Sequence, residues 1–132
     1  QIIKKQKKIL GICVGMQIFL NKSEEGNLPG LGWVSGEVKK FSNKNLRVPH
    51  MGWNKLKVQK KNELFKNLNN PEFYFLHSYY CKINNLNQSI SLTNYSIDFC
   101  SSFVFRNIFG IQFHPEKSHD NGIQLLKNFT DL

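Results

Sequence analysis

A chain of 132 residues, 40% of them hydrophobic and 20% charged, has room for one packed domain and none for a second. It has no apolar run long enough to span a bilayer and no signal-peptide pattern, which reads as a cytosolic protein without membrane contact. The formal net charge of +9 is carried by Lys, with Arg47 and Arg106 the exceptions. Base-edge readers and phosphate clamps favour Arg, and the run Lys4, Lys5, Lys7, Lys8 has no interleaved aromatics, so the charge reads as solvated surface and not as a nucleic-acid site.

Residues 8–12 form a short apolar run that predicts a buried strand. The apolar spacing over residues 16–20 predicts a helix opening just after Cys13. Residues 23–32, SEEGNLPGLG, are loop by their Gly and Pro content. Residues 33–41 alternate loosely and predict a strand; residues 47–54, RVPHMGWN, predict a turn-rich connection; residues 62–68 predict a short helix. Strands are then expected over residues 73–77, 79–83, 90–93, 99–105 and 108–113 at hairpin-like spacing. After Pro115 a helix fits, with Asp120 near its start and Ile123, Leu125, Leu126 and Phe129 on one face. Strand-to-helix units at both ends with antiparallel strands between them predict an α/β domain on a mixed sheet. The cysteines Cys13, Cys81 and Cys100 are odd in number and lack zinc-like spacing, which argues against both a disulfide framework and a structural metal site.

Two segments carry chemistry. In Gly11-Ile12-Cys13-Val14-Gly15 a strand runs into a helix through a small-x-nucleophile-x-small turn. Glycines on either side relieve crowding at such a turn. The helix N-terminus is expected to lower the thiol pKa, and the Val14 N–H to face a developing oxyanion. In the run 109–116, FGIQFHPE, alternation puts Phe109, Ile111 and Phe113 on one strand face and Gln112 and His114 on the other. Pro115 stops the strand, and Glu116 can fix the tautomer of His114 and stabilise its imidazolium. Together these segments supply a nucleophile, a base and an orienting carboxylate. The plainer alternatives are a buried structural cysteine and a strand-end histidine beside a surface glutamate. Cys81 and Cys100 have no such turn beside them and read as structural.

GICVGMQ with FGIQFHPEKS resembles the class I, triad-type glutamine amidotransferases. SEEG, PGLGW, VPHMGWN, YFLHSYY and NGIQLLKNF narrow the resemblance to the glutaminase subunits of imidazole glycerol phosphate synthases, over residues 8–129. The resemblance implies a mixed sheet flanked by helices and a Cys13–His114–Glu116 triad that hydrolyses L-glutamine through a glutamyl thioester. Val14, Gly15, Gln17 and Glu25 would line the substrate, and backbone and side chains of His77, Ser78 and Tyr79 would grip its α-amino and α-carboxylate end. Pro49, His50, Met51, Gly52, Trp53 and Asn54 would face a (β/α)₈-barrel cyclase partner in a heterodimer of histidine biosynthesis. Ammonia would pass into that barrel. No cofactor or metal is implied.

The family domain carries further βα units and a Gly-rich loop ahead of the elbow, and these do not precede Gln1. The expectation is therefore a partial domain, residues 1–132, without the loop's second oxyanion N–H. Loss of one such donor costs about 2.7–4 kcal/mol in the transition state, so a chain of this extent is expected to be unstable or nearly inactive alone. Two other functions stay open at this point: a paralogous subunit supplying ammonia for surface-polysaccharide sugar amidation, and a truncated non-catalytic binding module.

Overall fold

The computed structural model describes residues 7–132; Lys4 and Lys5 of the basic run lie outside them. In chain order the elements are β1 (Ile9–Ile12), α1 (Val14–Gln17), β2 (Lys22–Ser23), β3 (Gly36–Lys40), β4 (His50–Lys55) and β5 (Lys57–Val58). A 3₁₀ turn (Glu63–Phe65) leads to β6 (Glu72–His77) and β7 (Tyr79–Ile83), and a second (Leu86–Gln88) to β8 (Ser89–Tyr95) and β9 (Ile97–Phe105). Then come β10 (Ile108–Ile111), a third 3₁₀ turn (Pro115–Lys117) and α2 (His119–Thr130).

The main sheet runs β1-β10-β9-β7-β3-β2, with β8 on β9 and β5 on β8. β1 is parallel to β10 and β2 to β3; the other pairs are antiparallel, so the sheet is mixed as expected. β4 and β6 form a separate antiparallel pair. Apolar side chains pack in two clusters. One gathers Phe73, Phe75, Phe99, Phe109, Phe113 and Leu125; the other gathers Met16, Phe19, Leu20, Val38, Phe103 and Ile108. β10 contributes to both and is buried at every residue, which is why it reads as an unbroken apolar run. No helix among the described residues is long and apolar enough to cross a membrane.

Three sequence expectations need correction. Residues 47–54 are not all turn, because His50 to Asn54 lie in β4 and pair with β6. Pro49 and Gly52 hid the strand; Gly52 has φ 123°, which suits glycine within an otherwise extended segment. The helix after Cys13 is a single turn. The carbonyls of Ile18, Phe19 and Leu20 accept from the N–H groups of Leu31, Val34 and Gly32, so the returning loop takes the bonds that would extend it. On α2, Ile123 is exposed and the buried positions are Gly122, Leu125 and Asn128. Asn128 is inward because its amide donates to the carbonyls of Leu64 and Lys66.

Candidate active site

β1 and β10 stay paired up to the turn, where the Cys13 N–H donates to Ile111 O at 2.8 Å. Cys13 then takes φ 56°, ψ −108°, a conformation costing a non-glycine residue about 1–3 kcal/mol, and the chain enters α1. The two flanking glycines differ. A Cβ on Gly11 would lie 2.4 Å from Gly15 O and 2.5 Å from the Phe19 ring, so glycine there lets α1 sit on β1. A Cβ on Gly15 would meet nothing within 4 Å, so its lack of a side chain relieves no crowding in the fold.

The Cys13 thiol is buried. Its sulfur lies 3.7 Å from Leu76 O and 3.5 Å from Gln112 Nε2, which donates to it. Burial raises the thiol pKa, and the Glu116 and Glu25 carboxylates push the same way. The Val14 N–H and the Gln112 amide oppose them without winning. The expected lowering by the helix N-terminus is thus present in direction but outweighed by desolvation, since α1 is one turn and the thiol is buried.

His114 follows β10 and bridges to Tyr74 of β6, its N–H donating to Tyr74 O at 2.9 Å. Its carbonyl accepts from Ser118 Oγ at 2.6 Å, and that hydroxyl oxygen in turn accepts from the Tyr74 N–H at 2.9 Å. Nδ1 meets Glu116 Oε2 at 3.1 Å. The carboxylate makes Nδ1 the protonated nitrogen and leaves the lone pair on Nε2, which is buried and has no partner. Cys13 and His114 therefore lie at the ends of neighbouring parallel strands, but they are not hydrogen-bonded to each other.

A cavity of about 310 Å³ opens beside α1, lined among others by Val14, Gln17, Ser23, Glu25 and Gly30. Gln17 Nε2 donates to Tyr79 O at 3.0 Å and to Gln112 Oε1 at 3.1 Å. The Leu76 carbonyl thus borders the Cys13 sulfur and the Tyr79 carbonyl borders Gln17, whereas the carbonyl of half-buried Ser78 accepts from the Phe41 N–H. The His77 side chain is directed into the core among Phe41, Phe75 and Phe99. It bonds Tyr79 O through Nδ1 at 2.8 Å and His50 Nδ1 through Nε2 at 2.9 Å. Burial lowers its pKa to about 3 and that of His50 to about 4, so both rings are neutral near pH 7.

Of the segment expected to face a partner, His50 is buried and Pro49, Gly52 and Asn54 are half-buried, while Met51 and Trp53 are exposed. Trp53 stacks on His119 at 5.5 Å and meets the Tyr74 ring edge-on, with Lys117 5.9 Å from the Tyr74 centroid. Sequence reasoning missed Tyr74, Lys117 and His119, which join this patch only across space. It also missed Gln112, although a lone amide in an apolar strand was a visible signal. Cys81 and Cys100 are buried register partners on β7 and β9, with burial raising the pKa of both, Cys100 to about 11.

Residues 1–132 match the family described as Glutamine amidotransferase class-I. The chain is similar to the imidazole glycerol phosphate synthase subunit HisH of Leptospira borgpetersenii, 51% identical over 99% of this chain and 67% of the relative. It is 47% identical to the protein of that name from Bdellovibrio bacteriovorus, with the same coverage. It spans about two thirds of the length of these relatives. Among solved structures, PurLQS from Thermotoga maritima has a TM-score of 0.74 at 16% identity, covering 98% of this chain and 64% of that one. A glutamine amidotransferase from the same organism has a TM-score of 0.66 at 18% identity, covering 98% of this chain and 50% of that one. At these identities the structures bear on the fold alone.

Proposed function

From the premise that the chain belongs to the class-I glutamine amidotransferases, we propose that residues 1–132 belong to the glutaminase domain of an imidazole glycerol phosphate synthase. The domain hydrolyses L-glutamine for a cyclase partner in histidine biosynthesis. The observation that carries this is His114: Nδ1 is held by Glu116 and Nε2 is buried without a partner, one strand away from a cysteine in a strained elbow.

In this reading the Cys13 sulfur bonds to the side-chain carbonyl carbon of glutamine as its proton passes to His114 Nε2. The Val14 N–H faces the oxyanion. The C–N bond then breaks, the same proton leaves with ammonia, and a glutamyl thioester remains. Water, losing a proton to Nε2, adds to the thioester; the C–S bond breaks and glutamate and the thiol are released. Glu116 keeps the ring oriented and offsets the imidazolium charge. Both N–H groups of Gln17 are bound inside the protein, so its carbonyl oxygen is the group left to meet the substrate. His77 acts by orienting the Tyr79 carbonyl, and the strand around Ser78 and Tyr79 borders the substrate. The exposed Met51, Trp53, Lys117 and His119, with half-buried Tyr74 between them, form the docking face for the barrel partner, with Pro49, His50, Gly52 and Asn54 supporting it.

Glutamate release from glutamine, measured with the cyclase partner present, tests the reading. Cys13→Ser is expected to reduce release to background while leaving the fold intact. Retained hydrolysis in that variant would refute the mechanism.

A further inference from the structure

Gln112 is fully buried just past the end of β10, where its neighbours Phe109, Ile111 and Phe113 belong to the apolar core. Burying a primary amide costs about 1–3 kcal/mol unless its groups are paired. Here the groups are paired with the site itself. Oε1 accepts from Gln17 Nε2 at 3.1 Å, Nε2 donates to the Cys13 sulfur at 3.5 Å, and the backbone N–H is pinned to Ser101 O at 2.9 Å.

The direction of the amide is forced. Tyr79 O can only accept, and Gln17 Nε2 is bound to it, so the second Gln17 N–H points at Gln112 and must find an oxygen there. That places the NH₂ of Gln112 against the sulfur. Neutral His77, donating from Nδ1 to the same carbonyl, holds Tyr79 O in place from the other side. A glutamine serving only the core could have satisfied itself on backbone groups; this one ends on the one nucleophilic atom of the elbow.

We propose that Gln112 is a positioning residue of the site, whose side-chain amide locks Gln17 and presents a hydrogen bond to the Cys13 sulfur that supports its thiolate. The proposal rests on reading Cys13 as the nucleophile and deepens that reading. The other groups bearing on the sulfur are the Val14 N–H, which also favours the thiolate, and the carboxylates of Glu116 from the turn after β10 and Glu25 from the loop after β2; the Cys81 thiol on β7 in turn feels the Cys13 charge. Both carboxylates disfavour the thiolate, and of the side chains named here Gln112 alone favours it.

The test is the pH dependence of Cys13 alkylation by iodoacetamide, read on the Cys13 peptide by mass spectrometry. Gln112→Met fills similar space without a donor. The midpoint should rise by about one pH unit, which makes alkylation at neutral pH about tenfold slower. An unchanged profile in folded Gln112→Met overturns the proposal. Gln112→Asn keeps an amide but withdraws it from both partners, so it must shift the midpoint in the same direction, and an unchanged profile there overturns the proposal even if the Met variant does not fold. The outcome is separable from the proposed reaction. A wild-type protein that releases no glutamate while its alkylation midpoint responds to Gln112 would sink the glutaminase reading alone. Normal hydrolysis with an unresponsive midpoint would sink the role of Gln112 alone.

Discussion

Cys13 sits at φ 56°, ψ −108°, at the head of a single helical turn, whereas His114, one strand away, has extended backbone at φ −102°, ψ 99°. The elbow depends on one close approach, α1 against Gly11, and holds a thiol that burial keeps protonated. The turn at His114 is braced by Tyr74 and Ser118, and Gly122 packs so tightly on the Pro115 carbonyl that an added Cβ would lie 1.8 Å from it. Under the proposed reaction the contrast matches what each group must do. A base needs one ring orientation, which bracing supplies. A nucleophile must project from the backbone at a sharp turn, which strain supplies. In this structure the His114 ring is held at Nδ1 by Glu116, and its Nε2 is not bonded to the Cys13 sulfur.

The largest effect that would break this division is expected from Glu116→Gln. Loss of the carboxylate leaves the imidazolium without its partner, and kcat for glutamine hydrolysis should fall about 10²-fold or more. The same change should act on Cys13 in the opposite sense. Glu116 raises the thiol pKa, so removing its charge lowers that pKa, increases the thiolate fraction at neutral pH and speeds alkylation of Cys13. Slower hydrolysis with faster alkylation is the signature of two halves tuned separately. Parallel loss of both would mean that Glu116 serves the fold of the whole site.

Gly11→Ala should come next. The methyl group would lie 2.4 Å from a backbone oxygen and 2.5 Å from a core ring, so α1 must move away from β1. Overpacking of this kind costs about 1–3 kcal/mol, measurable as a lower urea midpoint. Because α1 carries both the Val14 N–H and Gln17, glutamine hydrolysis should fall with it. An unchanged urea midpoint would show that the elbow is softer than the contact distances state.

What was legible in the sequence divides along a similar line. The strand into Cys13, the turn after it and the His-Pro-Glu exit are local patterns in which residue order sets the backbone, and they stand where expected. The mixed sheet followed from strand-to-helix units at both ends with antiparallel strands between, and the alternation read over residues 109–114 did not reveal that β10 is buried on both faces. Residues 50–54 failed because Pro49 and Gly52 outweighed a strand that exists only by pairing with β6. Ile123 failed because a polar residue, Asn128, took the inward position to satisfy two carbonyls 62 and 64 residues away in sequence. The inward turn of His77 toward His50 and the approach of Gln112 to the thiol are likewise decided by groups far apart in the chain. Spacing along one segment carries no record of them.

The smallest expected effect sharpens the comparison within the elbow itself. Gly15→Ala puts a methyl group where nothing lies within 4 Å, so the fold has no reason to object. Alanine is the better helix former by about 1 kcal/mol, and stability should be unchanged or slightly higher. Gly15 lies between Val14 and Gln17, which both line the cavity beside α1. If that cavity takes the glutamine side chain, the added methyl should raise KM for glutamine by a few-fold at unchanged Tm. A lowered Tm would instead make Gly15 a second structural glycine like Gly11, and the distinction drawn here between a packing glycine and a binding glycine would not hold.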